Sequence, residues 1–208
     1  MAILLTNENF NSYAEKVMNT KAVEVKPIYG KAKILPYKPE PKKRKVRVPK
    51  VKYNDGGRSA AGFEKDKVGD CVARSIAIVT QRPYAEIYKL LAEGNAKQRV
   101  TKRQRRTKKA MQKAHKETAD FGISVKRKWF QDLMKDLGFT WVSVMGIGTG
   151  VTMHMRHYEL PPGRIIASLS KHYCAVINRV VNDTYDPCRG GNRAVYGYWE
   201  YDEDRRTI

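Results

Sequence analysis

Apolar residues recur at helical spacing through the middle of this chain and at alternating spacing through its last third. Val72, Ile76 and Val79 share one face of a helical period that follows Asp70, a residue type suited to the N-cap. Pro83 fits the first turn of a second helix, on which Tyr84, Ile87, Tyr88 and Leu91 are spaced by three, four and seven. Residues 126–137 give the best amphipathic pattern: Trp129, Phe130, Leu133, Met134 and Leu137 form one stripe, which Gly138 stops. A further short helix is expected over residues 6–20, from Phe10, Tyr13, Ala14, Val17 and Met18. From Phe139 the period changes. Residues 139–144, 164–169, 173–177, 180–185 and 195–201 are short runs of β-branched and aromatic residues, which read as strands. Helices first and antiparallel strands afterwards is an α+β order.

Residues 21–60 follow neither period. Pro27, Pro36, Pro39, Pro41 and Pro49 are interleaved there with Lys, Val and Tyr, as in an extended, polyproline-like segment, and residues 54–59 (Asn-Asp-Gly-Gly-Arg-Ser) read as a turn or linker. The division expected is therefore an extended basic arm over 1–60 and a folded domain over 61–208. The length of 208 residues suits one domain with a tail. No apolar run approaches the roughly 18 residues of a membrane span. The first residues lack a basic n-region, so no secretory signal is expected, and three scattered cysteines (Cys71, Cys174, Cys188) point to a reducing compartment.

Charge sharpens this picture. The net charge is +20, and seventeen of those charges come from two acid-free stretches, seven Lys/Arg in residues 41–52 and ten in residues 97–116. The second forms a basic, helix-prone insertion at about 95–120 with hardly any apolar face. Such blocks self-repel unless a polyanion neutralises them, and six phosphate contacts already give a strongly salt-dependent affinity. Nucleic acid or another polyanion is the expected partner, through Lys42, Lys43, Arg44, Lys45, Arg99, Lys102, Arg103, Arg105, Arg106, Lys108 and Lys109. The string Pro-Lys-Lys-Arg-Lys-Val at 41–46 also has the form of a nuclear-localisation signal, a string that arises easily in a lysine-rich arm.

One group of residues has the makings of covalent chemistry. Cys71 opens the first helix of the domain, where free backbone N–H groups and the helix dipole favour thiolate and could hold an oxyanion. Such a nucleophile needs an imidazole and a group to orient it. His172 opens a strand that turns near Asn178-Arg179. A three-residue loop sets His172 opposite Asp186; a two-residue loop sets it opposite Tyr185 and displaces Asp186 by one. Other candidates are weaker. Cys71, Cys174, Cys188 and His172 lack metal-ligand spacing, so no metal or cofactor is expected. His154 and His157 could share a face, but two exposed histidines without a carboxylate partner usually carry no function, and residues 146–150 (Gly-Ile-Gly-Thr-Gly) lack the Lys-Ser/Thr of a phosphate loop and read as a flexible loop near the cleft or a plain turn.

The string Gly69-Asp-Cys-Val-Ala-Arg-Ser-Ile-Ala-Ile-Val-Thr, then Pro83-Tyr-Ala-Glu-Ile-Tyr, His172-Tyr-Cys-Ala-Val-Ile and Asn182-Asp-Thr-Tyr-Asp-Pro, resembles papain-like cysteine peptidases. The likeness covers about residues 61–200 and is closest to the bacteriocin-processing type and to compact phage-encoded members. It implies a papain-like fold, N-terminal helices on a C-terminal antiparallel sheet, with Cys71 as nucleophile, His172 as base and Asp186, before a proline, as orienter. Lys65 stands where these families carry the Gln that completes the oxyanion hole. The resemblance thus implies a cysteine hydrolase acting on a peptide or protein, without membrane association, in the cytoplasm of an infected host cell or with a virion. The rival is a peptidase-derived module, weak or inactive, that binds nucleic acid or a virion or ribonucleoprotein partner.

Overall fold

Among the described residues, three helices form where their apolar stripes find one face of a sheet. A computed structural model of the chain describes residues 46–63, 69–97, 117–120 and 123–208. The expected helix over 6–20, most of the arm and most of the basic insertion lie outside the described residues. Strand β1 is Val51–Tyr53, helix α1 Cys71–Thr80, α2 Tyr84–Lys97 and α3 Lys128–Asp136; β2 is Phe139–Ser143, β3 Arg164–Leu169, β4 His172–Ile177, β5 Val180–Asp183 and β6 Gly197–Tyr201. The strands make one six-stranded sheet in the order β1-β5-β4-β3-β6-β2. The architecture is a mixed α+β arrangement.

Two apolar clusters lie against the sheet. The first joins Val72, Ile76 and Val79 of α1, Ile87 and Leu91 of α2, and Phe130 and Met134 of α3 to Ile166, Ala175 and Trp199. The second packs Met153, Met155, Leu160, Cys188 and Val195, all from connecting segments, on Ile165, Ala167, Cys174, Val176 and Val181. Neighbouring strand residues divide between the clusters (Ile165 from Ile166, Cys174 from Ala175), as the two-residue period of a strand requires. The central strands β3 and β4 are thus buried on both faces, which explains runs such as Arg-Ile-Ile-Ala-Ser-Leu that hardly alternate.

Three expectations change here. The sheet is not wholly antiparallel: β1 runs parallel to β5, with Val51 opposite Val181 and Tyr53 opposite Asp183. Its three residues come from the stretch assigned to the arm, so the folded unit begins upstream of residue 61. α2 runs through Gly94 to Lys97, and that glycine lies against the Trp129 ring; a Cβ there would lie 2.4 Å from Trp129 Cζ3. Asp70 holds the N-cap position of α1, but its carboxylate caps nothing. It accepts instead from the Tyr84 hydroxyl at 2.9 Å and pairs with two arginines.

Candidate active site

The topology brings four chain segments to one end of the sheet. β4 starts there with His172; β5, antiparallel to it, ends there with Asp183; β1, parallel to β5, ends there with Tyr53; and α1 begins there with Cys71. Gly69, with φ of 136°, turns the chain into the helix in a conformation that side-chain-bearing residues rarely adopt. Between these ends lies a cleft of about 420 Å³, whose lining includes Cys71, His172, Arg58, Lys171 and Tyr185.

The register of the β4–β5 hairpin decides which acid meets the histidine. Ile177 pairs with Val180, so the loop is the two residues Asn178 and Arg179, with φ of 48° and 66°, the left-handed pair of a tight hairpin turn. Counting outward from Ala175–Asn182, Cys174 falls opposite Asp183 and His172 opposite Tyr185. Asp183 is then the diagonal neighbour of His172 on one face, and Asp186 falls on the other. His172 Nε2 lies 2.6 Å from Asp183 Oδ2, and the Tyr185 ring lies against the imidazole at 5.0 Å between centroids. The acid bonded to His172 is therefore Asp183, and the expected Asp186 is not brought to the ring. Asp186 accepts from the Cys188 N–H at 2.8 Å and closes a local turn before the second apolar cluster.

With Nε2 committed to Asp183, the other ring nitrogen, Nδ1, is left for Cys71. Both partners act on the ring. Burial opposes its charged form most strongly, but hydrogen bonds and negative charge from Asp183 and Cys71 outweigh this and push the His172 pKa up to about 9. An imidazole of that kind holds its proton through neutral pH and can give it to a leaving group. Cys71 is half-buried and open to the cleft, whereas Cys174 and Cys188 are fully buried. Burial drives the Cys174 thiol well above its ordinary range, and burial followed by the Asp186 hydrogen bond pushes Cys188 up to about 12.

Asp183 is itself held. Its Oδ1 accepts from the Thr184 N–H at 2.7 Å and lies 3.6 Å from Arg74 Nη2, while Asn54 N–H donates to its carbonyl at 3.0 Å. Arg74 donates to the Thr184 hydroxyl at 2.5 Å and pairs through Nε with Asp70 Oδ1 at 3.3 Å; Asp70 in turn pairs with Arg58 at 3.5 Å. Charges of opposite sign thus alternate from Arg58 through Asp70 and Arg74 to Asp183.

No family model, curated protein or solved structure matches the chain. The functional reading stands on this geometry.

The sequence reading brought Cys71 and His172 forward, and the fold brings them together. It missed Asp183, Arg74 and the turn after β1, from which Tyr53, Asp55, Arg58 and Ser59 line the cleft. The signal that could have found Asp183 is the two-residue-loop register, which makes it the diagonal neighbour of His172. Residues 146–150 form an exposed turn closed by Thr149 and do not line the cleft. His154 does have a carboxylate partner, Glu159, 3.3 Å from Nδ1, and Arg156 pairs with the same side chain. Among the described residues no group of three His, Cys, Asp or Glu gathers as for a metal ion. Lys65 and the basic residues from Lys42 to Lys45 and Arg99 to Lys109 lie outside the described residues.

Proposed function

We propose that this chain is a cysteine hydrolase, peptidase-like in type and papain-like in the order of its parts, with Cys71 as nucleophile, His172 as proton shuttle and Asp183 as the group that fixes the imidazole. The observation that carries the reading is the buried His172, held by Asp183 through one nitrogen at 2.6 Å, in a cleft it shares with the Cys71 thiol at a helix start. The Cys71 thiolate attacks an amide or thioester carbonyl and the carbon–heteroatom bond breaks. His172 gives its proton to the leaving amine or thiol. Water, losing a proton to the same ring, then hydrolyses the acyl-cysteine and frees the enzyme. The backbone N–H of Cys71, in the first turn of α1, is placed to donate to the tetrahedral oxyanion. The phage-type substrate, host and virion setting belong to this proposal through the resemblance alone.

The test is iodoacetamide labelling across pH in the wild type and in His172→Ala. Cys174 and Cys188 are buried with raised thiols, so the signal reports Cys71. Rapid labelling well below the free-thiol value of about 8.5, lost with His172, is the expected result. An ordinary thiol indifferent to His172 overturns the reading. A second reading, a peptidase-derived module that binds nucleic acid, is favoured by the ten acid-free basic charges of residues 97–116 and by Lys65 in the place of the family's Gln. Under that reading the salt dependence of binding, not hydrolysis, is the property to measure.

A further inference from the structure

We infer that Arg74 is a positioning residue of the candidate site: by bridging Asp70, Thr184 and Asp183 at once it fixes the Asp183 carboxylate against His172, and through it the charge state of the Cys71–His172 pair. The inference rests on the cysteine-hydrolase reading. Three observations carry it. Arg74 lies one helical turn beyond Cys71, so α1 sets the nucleophile and the arginine on neighbouring positions of one face. The side chain is buried and makes three polar contacts on two sides: Asp70 Oδ1 at 3.3 Å on its own helix, Thr184 Oγ1 at 2.5 Å and Asp183 Oδ1 at 3.6 Å on the sheet. Asp183 divides its two oxygens, Oδ2 to His172 and Oδ1 to the Thr184 N–H and Arg74, so whatever grips Oδ1 aims Oδ2.

The chemistry explains why an arginine serves here. A buried carboxylate whose only partner is an imidazole would gain by turning toward any better donor or by taking up a proton, and either event releases the ring. The planar guanidinium donates to the Thr184 hydroxyl and lies in ion-pair range of two carboxylates, 3.3 Å from Asp70 and 3.6 Å from Asp183, a spread that a lysine ammonium on a flexible stem does not reproduce. Asp70 is anchored in its turn by the Tyr84 hydroxyl and by Arg58, so the arginine is held at its far end. The charged and titratable groups facing His172 are Cys71 from α1, Asp183 from β5, and Lys171 and Tyr185 from the adjoining turns; those facing Arg74 are Asp70 and Asp183.

Two readouts separate positioning from a mere through-space charge: the low-pH limb of Cys71 labelling by iodoacetamide, and the ring titration of His172 by NMR. Removing a positive charge at a distance moves both upward together, since it disfavours thiolate and favours imidazolium. Releasing Asp183 moves them toward each other, because both ions of the pair lose support. In Arg74→Met the labelling limb is expected to rise, and the His172 titration to fall, by about one pH unit each, which is about a tenfold loss of labelling at any pH below the wild-type limb. Arg74→Lys keeps the charge and guards against loss of folding; it is expected to narrow the window in the same direction by a smaller amount. Parallel upward shifts in Arg74→Met, or a wild-type window in a folded Arg74→Lys, overturn the inference. A wild-type protein that shows no low-pH labelling overturns the hydrolase reading itself, and the inference falls with it; the wild-type control thus tells the two failures apart.

Discussion

Replacing Asp183 by Asn should leave the fold nearly isosteric and remove the charge that holds His172 protonated. In the wild type the ring titrates at about 9 against an ordinary 6.5, although burial, the largest single influence, works downward. Asp183 supplies the strongest of the opposing influences through its 2.6 Å hydrogen bond and adds its charge. Without it, burial meets only the contribution of Cys71, and the ring should return to 6.5 or below. That is a fall of at least about two units, equivalent to about 3 kcal/mol of differential stabilisation of the imidazolium. The assay is the C2–H chemical shift of His172 followed across pH, its signal among the four histidines assigned with His172→Ala. Cys71 labelling at pH 6 should fall with it, since a thiolate loses its counter-ion. Asp186→Asn, which touches only the turn at Cys188, should leave both readouts unchanged. If Asp183→Asn keeps a ring titration near 9, or Asp186→Asn lowers it, the assignment of the orienting acid is wrong.

Because the folded-state value for His172 lies above its free value, the protonated ring stabilises the fold fully below about pH 6.5, and this stabilisation is lost as pH rises through about 9. Urea midpoints should therefore drop between pH 6 and pH 10 by the equivalent of about 3 kcal/mol, and the drop should shrink in Asp183→Asn. Gly94→Ala sets helix propensity, worth about 1 kcal/mol in favour of Ala, against a Cβ forced within 2.4 Å of the Trp129 ring, a clash that typically costs about 1–3 kcal/mol. A net lowering of the melting temperature by a few degrees is expected, and a rise would contradict the close approach. For the full chain and a short DNA duplex, six phosphate contacts give a slope of about −5 in log affinity against log salt. A flat dependence would remove the basic segments from nucleic-acid binding.

The helices and most of the strands were legible because their apolar periods are long or strongly β-branched; residues 164–169 are both the run read from the sequence and the strand Arg164–Leu169. Cys71 and His172 were legible because each opens an element, where chemistry and secondary structure make one signal. Asp183 was missed because a one-residue change of loop length exchanges the faces of a strand, and neither Asn178 nor Arg179 is the glycine that usually marks a two-residue hairpin. Val51–Tyr53 was hidden because three residues carry no usable period and their lysine- and proline-rich surroundings pull the reading toward an extended arm. Arg74 looked like an unremarkable polar position on an amphipathic helix. Its contacts with Asp183 and Thr184 come from the end of β5 and the residue after it, more than a hundred positions later, where no helical period reaches.

That long separation gives the site a timing. Cys71 precedes His172 and Asp183 by about 100–110 residues, so at about 5–20 residues per second a nascent chain carries the thiol for some 5–20 s before its partners are made. α1 can form early from local contacts, but β1 must wait for β5 as its parallel neighbour, and the wall of the cleft that follows β1 waits with it. The two-residue turn at Asn178-Arg179 then delivers His172 and Asp183 in quick succession, on the microsecond scale of a hairpin once both strands are free. On the proposed hydrolase reading, a site built in this order acquires its chemistry only in this late closure.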